Sequence, residues 1–184
     1  MGDVSDYIQT YTGKKFHFLN PSPDEIDIED IAYALAHTTR WGGHCSPPIT
    51  VAQHCVLVSR LLRNRSMSPM VQMQGLLHDA AEAYIPDIPS PFKPFFPDVV
   101  KIDAMIEQAI CQKFGVTFPF DPMVKTMDIE SYRWEYRDLM RPEGMCEEPS
   151  SFRPTLRVWP AEEAEAEYLA TYWVLRETLM REAA

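Results

Sequence analysis

Where apolar positions recur along this chain, most recur at helical spacing. Ile28, Ile31, Ala32, Leu35 and Ala36 mark a first helix that follows the loop at residues 20–25 and ends near Thr39. After a loop at 40–48 (RWGGHCSPP), Thr50 is a good N-cap for a helix reaching about Arg63, with Val51, Val58 and Leu62 among its apolar positions. Pro69 falls near the first turn of the next helix, which runs through Leu76, Leu77 and Ala81 to about Tyr84. The stretch 85–98 (IPDIPSPFKPFFPD) holds five prolines and is excluded from regular helix. Helical spacing resumes over 98–114, closed by Gly115, and again from Pro122 to about Met140. An irregular loop at 141–154 follows. From Pro160 a terminal helix begins, with acidic residues in its first turns, where the helix dipole favours them. Basic and aromatic residues alternate over 13–19, which predicts a short strand, paired with 157–159. The pattern gives an all-α compact bundle of about six helices, one domain over 1–184, with a minor two-stranded β element.

Composition narrows the function. A chain of 184 residues suits a single core. Its formal charge of -10 opposes binding to a phosphate backbone, so nucleic acid is not expected as a partner. A small anionic ligand is still compatible with that charge if cations gather locally. Cys45, Cys55, Cys111 and Cys146 form no CxxC pair and the start carries no signal peptide, so reduced thiols and a cytoplasmic location are expected. No segment approaches the roughly 20 apolar residues needed to cross a bilayer, so no membrane partner is expected. Apolar surface on the terminal helix predicts a homo-oligomer, a dimer or larger.

The chemistry concentrates around a few polar residues in apolar surroundings. His78 and Asp79 sit together in GLLHDAAEAY, with Glu82 one turn on. Such groups cost free energy inside a core unless they are paired or bound to metal. Helical neighbours point about 100° apart, so His78 and Asp79 can lean on one ion, and Glu82 shares their face. His54 interrupts the amphipathic stretch VAQHCVLVSRLL, and Asp128 lies between Met127 and Ile129. Asp87 lies in the proline-rich loop. Each taken alone has a plain structural alternative: a surface pair, a satisfied core histidine, a solvated helix face, a turn residue.

Together, a His on one helix, an adjacent His-Asp on the next and an Asp on a later one resemble the H…HD…D ligand set of HD-domain phosphohydrolases. The phrase HDAAEAYIPDIPSPFK is similar to the bacterial 5′-deoxynucleotidase branch and to small phage dATP triphosphohydrolases. The resemblance spans residues 27–138. It implies His54, His78, Asp79 and Asp128 as metal ligands, Glu82 as the residue that orients or activates the nucleophilic water, and Asp87 as general acid. It implies Arg40, Trp41, His44, Lys93 and Lys125 as substrate contacts, with Trp41 packing on the deoxyribose. Ser46, Pro47, Pro48 and Ile49 stand where many relatives carry an aromatic pair, a departure that bears on the base pocket.

Two imidazoles and two carboxylates suit one divalent transition metal (Co²⁺, Mn²⁺, Fe²⁺ or Zn²⁺), with a second ion such as Mg²⁺ for a triphosphate substrate. The expected activity is hydrolysis of a 5′-deoxynucleotide by a metal-activated water. Release of triphosphate from a deoxynucleoside triphosphate uses the same ligands, and a non-catalytic HD-fold binding module is the alternative outside enzymes.

Overall fold

The computed structural model describes residues 6–86, 88, 91–141 and 154–183. Asp87, Cys146 and most of the loop at 141–154 lie outside the described residues. Six α-helices and one small antiparallel sheet make up the fold: β1 (Tyr7–Gln9), β2 (Lys15–His17), α1 (Ile28–His37), α2 (Val51–Asn64), α3 (Pro69–Leu77), α4 (Pro97–Phe114), α5 (Pro122–Leu139) and α6 (Ala161–Glu182). The helix starts follow local chemistry. Asp27, Thr50, Ser68 and Asp121 each accept a hydrogen bond from a first-turn amide of α1, α2, α3 and α5 respectively. Gly115 ends α4 in the left-handed conformation at φ 66°.

α2 is the central helix. From Val51 to Ser59 every residue is buried, because α1, α3, α5 and α6 pack around it. Contact with α3 is close: a Cβ on Gly75 would stand 2.3 Å from Leu62 Cδ1. The main core joins Ile31, Leu35, Val56, Leu76, Ile110 and Tyr168. Among the described residues no helix is long and apolar enough to cross a membrane.

The sheet differs from expectation. The predicted strand forms, but β2 pairs with β1, in the register Ile8 with Phe16, not with residues 157–159. A hairpin turn joins them, with Gly13 at φ 87° donating to Thr10 O. Short local pairing closes with little loop entropy, whereas residues 157–159 find another partner. The Gln53 side chain donates to Arg157 O at 2.7 Å and accepts from Trp159 N at 2.9 Å, so one amide of α2 does what a neighbouring strand would do.

The third helix is also shorter than its pattern. α3 stops at Leu77, and a separate 3-10 turn covers Ala80–Ala83. The His78 ring Nδ1 donates to Gly75 O at 2.9 Å, competing for the carbonyl to which residue 79 would bond in a continuing helix. Asp79 then turns to φ -107°, ψ 17°.

Candidate metal centre

Three helices deliver the candidate ligands. His54 comes from the middle of α2, His78 and Asp79 from the break after α3, and Asp128 from the second turn of α5. His54 Nε2 stands 3.3 Å from His78 Nε2 and 3.6 Å from Asp79 Oδ2. His78 Nε2 is 3.2 Å from the same Asp79 oxygen. The donor atoms of His54, His78 and Asp79 lie within 4.8 Å of one another, a group able to hold an ion. Asp128 Oδ1 adds contacts of 3.2 Å to His54 Nε2 and 3.8 Å to His78 Nε2.

Tautomers decide what this cluster can bind. His54 Nδ1 meets the Glu135 carboxylate at 2.6 Å, and His78 Nδ1 meets the Gly75 carbonyl. Both partners only accept, so each Nδ1 carries a proton and each Nε2 is left to face the cluster, where it can hold either a second proton or a metal ion. Two such nitrogens and two carboxylates face one another, an arrangement that a cation satisfies. Donors held about 2.1 Å from one ion stand about 3.0–3.4 Å apart, from octahedral to tetrahedral angles, close to the spacings here. The side chains fit a metal ion.

The electrostatics agree. Burial raises the Asp79 carboxyl, but the His78 and His54 rings and Arg40 outweigh it and hold Asp79 well below the usual range. Burial likewise opposes ionisation of Asp128, and hydrogen bonds and charge from both histidines depress it strongly. Burial lowers His78, yet Asp79 and Asp128 raise it well above its ordinary value. A field that draws a proton this strongly also draws a cation.

Beside the ligands opens a cleft of about 340 Å³. Glu82 and Lys93 line it, half-buried, and exposed Lys125 lines it from α5. Lys125 Nζ lies 2.6 Å from Asp128 Oδ2, the oxygen turned away from His54. Two further carboxylates, Asp103 and Glu107 on α4, face the same space. Burial and the neighbouring Asp103 push Glu107 up to about 7.

The remaining predicted contacts are placed differently. Arg40 and Trp41 are outside the cleft lining, in a 3-10 turn pinned by Arg40 N to Ile49 O and Val51 N to Thr38 O, both 2.9 Å. Arg40 Nη1 reaches within 3.5 Å of Asp79 Oδ2, so this guanidinium borders the ligand cluster. Trp41 stacks on Tyr132 at 4.7 Å and holds φ 60°, a conformation that costs a non-glycine residue about 1–3 kcal/mol. His44 is exposed at the end of this turn, and the structure brings it into no contact with the ligands.

Glu135 is the residue sequence reasoning missed. It is fully buried on α5 and accepts from His54, Ser131, Arg40 and Trp41. Burial raises its carboxyl, but His54 and Arg40 bring it down to about 2. Its signal was positional: Ser131 and Glu135 follow Asp128 by three and seven residues, one stripe of a helix.

The chain is 36% identical over 157 residues to the uncharacterized protein YfdR of Escherichia coli strain K12, a match covering 85% of this chain and 82% of that protein. It is 32% identical over 133 residues to an uncharacterized protein of Rhodobacter capsulatus, covering 67% of this chain and 68% of the relative. No family model matches the chain.

Proposed function

The chain belongs to the family of the Escherichia coli protein YfdR, and from the chemistry of its own side chains we propose that it is a metal-dependent phosphohydrolase of the HD type acting on 5′-deoxynucleotides. One observation carries this reading: two imidazole nitrogens and two carboxylates converge at the edge of a cleft that also holds further acidic residues, Glu82 among them, and two lysines. The H…HD…D order of these residues, shared with HD phosphohydrolases, supports the same reading.

In this proposal His54, His78, Asp79 and Asp128 would hold one divalent first-row ion. Bound there, such an ion lowers the pKa of water and offsets charge on a phosphoryl group. The chain's residues supply the rest. Glu82 takes a proton from the attacking water as its oxygen bonds to phosphorus. Lys93 and Lys125 hold the anionic phosphoryl oxygens as point charges. Arg40 borders the cluster with one nitrogen facing Asp79, suited to an anion that replaces that contact. As the bond from phosphorus to the sugar oxygen breaks, that oxygen needs a proton, and the resemblance gives the donor role to Asp87.

The acidic lining bears on substrate. Asp79, Glu82, Asp103, Glu107, Asp121 and Asp128 outnumber the two lysines, so an anionic substrate depends on bound cation to enter. Activity is therefore expected only with metal. The test supplies chelator-stripped protein, reloaded with Co²⁺, Mn²⁺ or Zn²⁺, with deoxynucleoside mono- and triphosphates and separates the products chromatographically. Metal-dependent release of phosphate, abolished in Asp79→Ala, is the expected result. Release of triphosphate assigns the longer substrate. A folded, metal-loaded protein that cleaves neither overturns the proposal and favours a binding module.

A further inference from the structure

The Glu135 carboxylate serves two structures at once, one with each oxygen. Oε1 accepts from His54 Nδ1 at 2.6 Å and from Ser131 Oγ at 3.0 Å. Oε2 accepts from Arg40 Nε at 2.8 Å and Trp41 Nε1 at 3.1 Å. A carboxylate with no exposure is expensive to desolvate, and four donors offset that cost.

The first oxygen acts on the metal centre. It fixes the His54 tautomer and ring orientation, and it makes Nε2 a stronger ligand. The second oxygen acts on the turn. Trp41 and Gly42 both hold positive φ, at 60° and 56°. Bonds to Oε2 and the stack on Tyr132 keep the turn in that form. The contacts then close on themselves. Arg40 Nη1 lies 3.5 Å from Asp79 Oδ2, and that oxygen lies 3.6 Å from His54 Nε2. A circuit therefore runs from His54 through Glu135, Arg40 and Asp79 back to His54, with Trp41 attached at Glu135.

We infer that Glu135 is a positioning residue that couples ion binding at His54 to the seating of the Arg40–Gly43 turn, so that each strengthens the other. The inference rests on the metal centre within the proposed function and is independent of the nucleotide reading. Its distinctive consequence lies at Trp41. That residue touches no proposed ligand, yet losing its hydrogen bond weakens metal binding through Oε2. Coupling free energies are reciprocal, so an ion also holds the turn.

The experiment measures Co²⁺ and Zn²⁺ affinity by competition with a chromophoric chelator for the wild type, Glu135→Gln and Trp41→Phe. Urea unfolding of the metal-free proteins runs in parallel. Glu135→Gln is expected to bind metal about 10–100-fold more weakly. Trp41→Phe, which keeps the stack and loses the donor, is expected to bind about fivefold more weakly. A purely structural role would move the urea midpoints and leave both affinities at the wild-type value, which overturns the inference. If Glu135→Gln does not fold, Trp41→Phe decides: weakened binding sustains the coupling and unchanged binding overturns it. A wild-type protein that binds neither ion overturns both the coupling and the metal centre. Binding without nucleotide cleavage leaves the coupling intact and removes only the substrate reading.

Discussion

A histidine, three carboxylates and their protons set opposite pH dependences within a few ångströms. Glu135 is depressed from 4.5 to about 2, so the unfolded chain takes up its proton at higher pH than the folded one. Its stabilisation is full above 4.5 and is lost as pH falls toward about 2; that depression corresponds to roughly 3 kcal/mol. Asp79 and Asp128 are depressed as well and act in the same direction. His78 works in reverse. Its folded pKa lies above 6.5, so its contribution is present below 6.5 and disappears as pH rises through the folded value. Glu107, held up to about 7, also works in reverse, its contribution falling from pH 4.5 upward, so the metal-free protein is expected to be most stable near pH 4.5 and to weaken as pH rises beyond it. Urea midpoints of chelator-treated protein across pH check this, and a midpoint still climbing above 6.5 contradicts it. The sequence made His78 and Asp79 legible because two ionisable groups stood out in an apolar run. Glu135 stayed hidden because charged and aromatic residues alternate through SYRWEYRD without a clear apolar face, and nothing in that string alone marks one position as buried. Burial there comes from α2, which is distant in sequence.

At the scale of elements, five of six helices begin and end close to where spacing, caps and prolines place them. The exception is instructive. The apolar run from Pro69 to Tyr84 has helical spacing throughout, yet the helix ends at Leu77 where the His78 ring takes the Gly75 carbonyl. The same side chain that marks the site breaks the element carrying it. The strand pairing was not legible either, because short strands hold little pattern and Gln53 occupies the place of a partner for 157–159. Gly75 links this break to the core. A methyl group there meets Leu62 Cδ1 at 2.3 Å and Val58 Cγ1 at 3.3 Å. Leu62 and Val58 are fully buried, so neither side chain can swing into open space. Gly75→Ala is therefore expected to destabilise by about 1–2 kcal/mol, overpacking outweighing the better helix propensity of Ala. The urea midpoint is expected to fall, whereas a midpoint equal to or above the wild type means that α2 and α3 separate without cost.

For the whole molecule, the proposed metal centre would also be a tie between helices. His54 belongs to the central α2, His78 and Asp79 to the end of α3, and Asp128 to α5, so an ion held by them would join three elements at one point. Unfolding separates these residues by the full sequence distances between them, so an ion bound there would favour the folded chain. Linkage then adds about 2.7 kcal/mol of stability at a free ion concentration one hundred times the dissociation constant. The acidic balance of the chain, -10, works in the same direction, because a bound cation relieves repulsion among the cleft carboxylates. Thermal unfolding is expected to shift upward with added Co²⁺ or Zn²⁺ and to return to the metal-free value with chelator. Asp79→Ala is expected to abolish the shift, since it removes the oxygen that faces both imidazoles. Arg181→Ala removes an exposed ion pair with Glu177 at the end of α6, outside the cleft lining, and is expected to leave the shift unchanged. A metal-induced rise that survives Asp79→Ala would locate the stabilising ion elsewhere, on the acidic surface rather than at the junction of α2, α3 and α5.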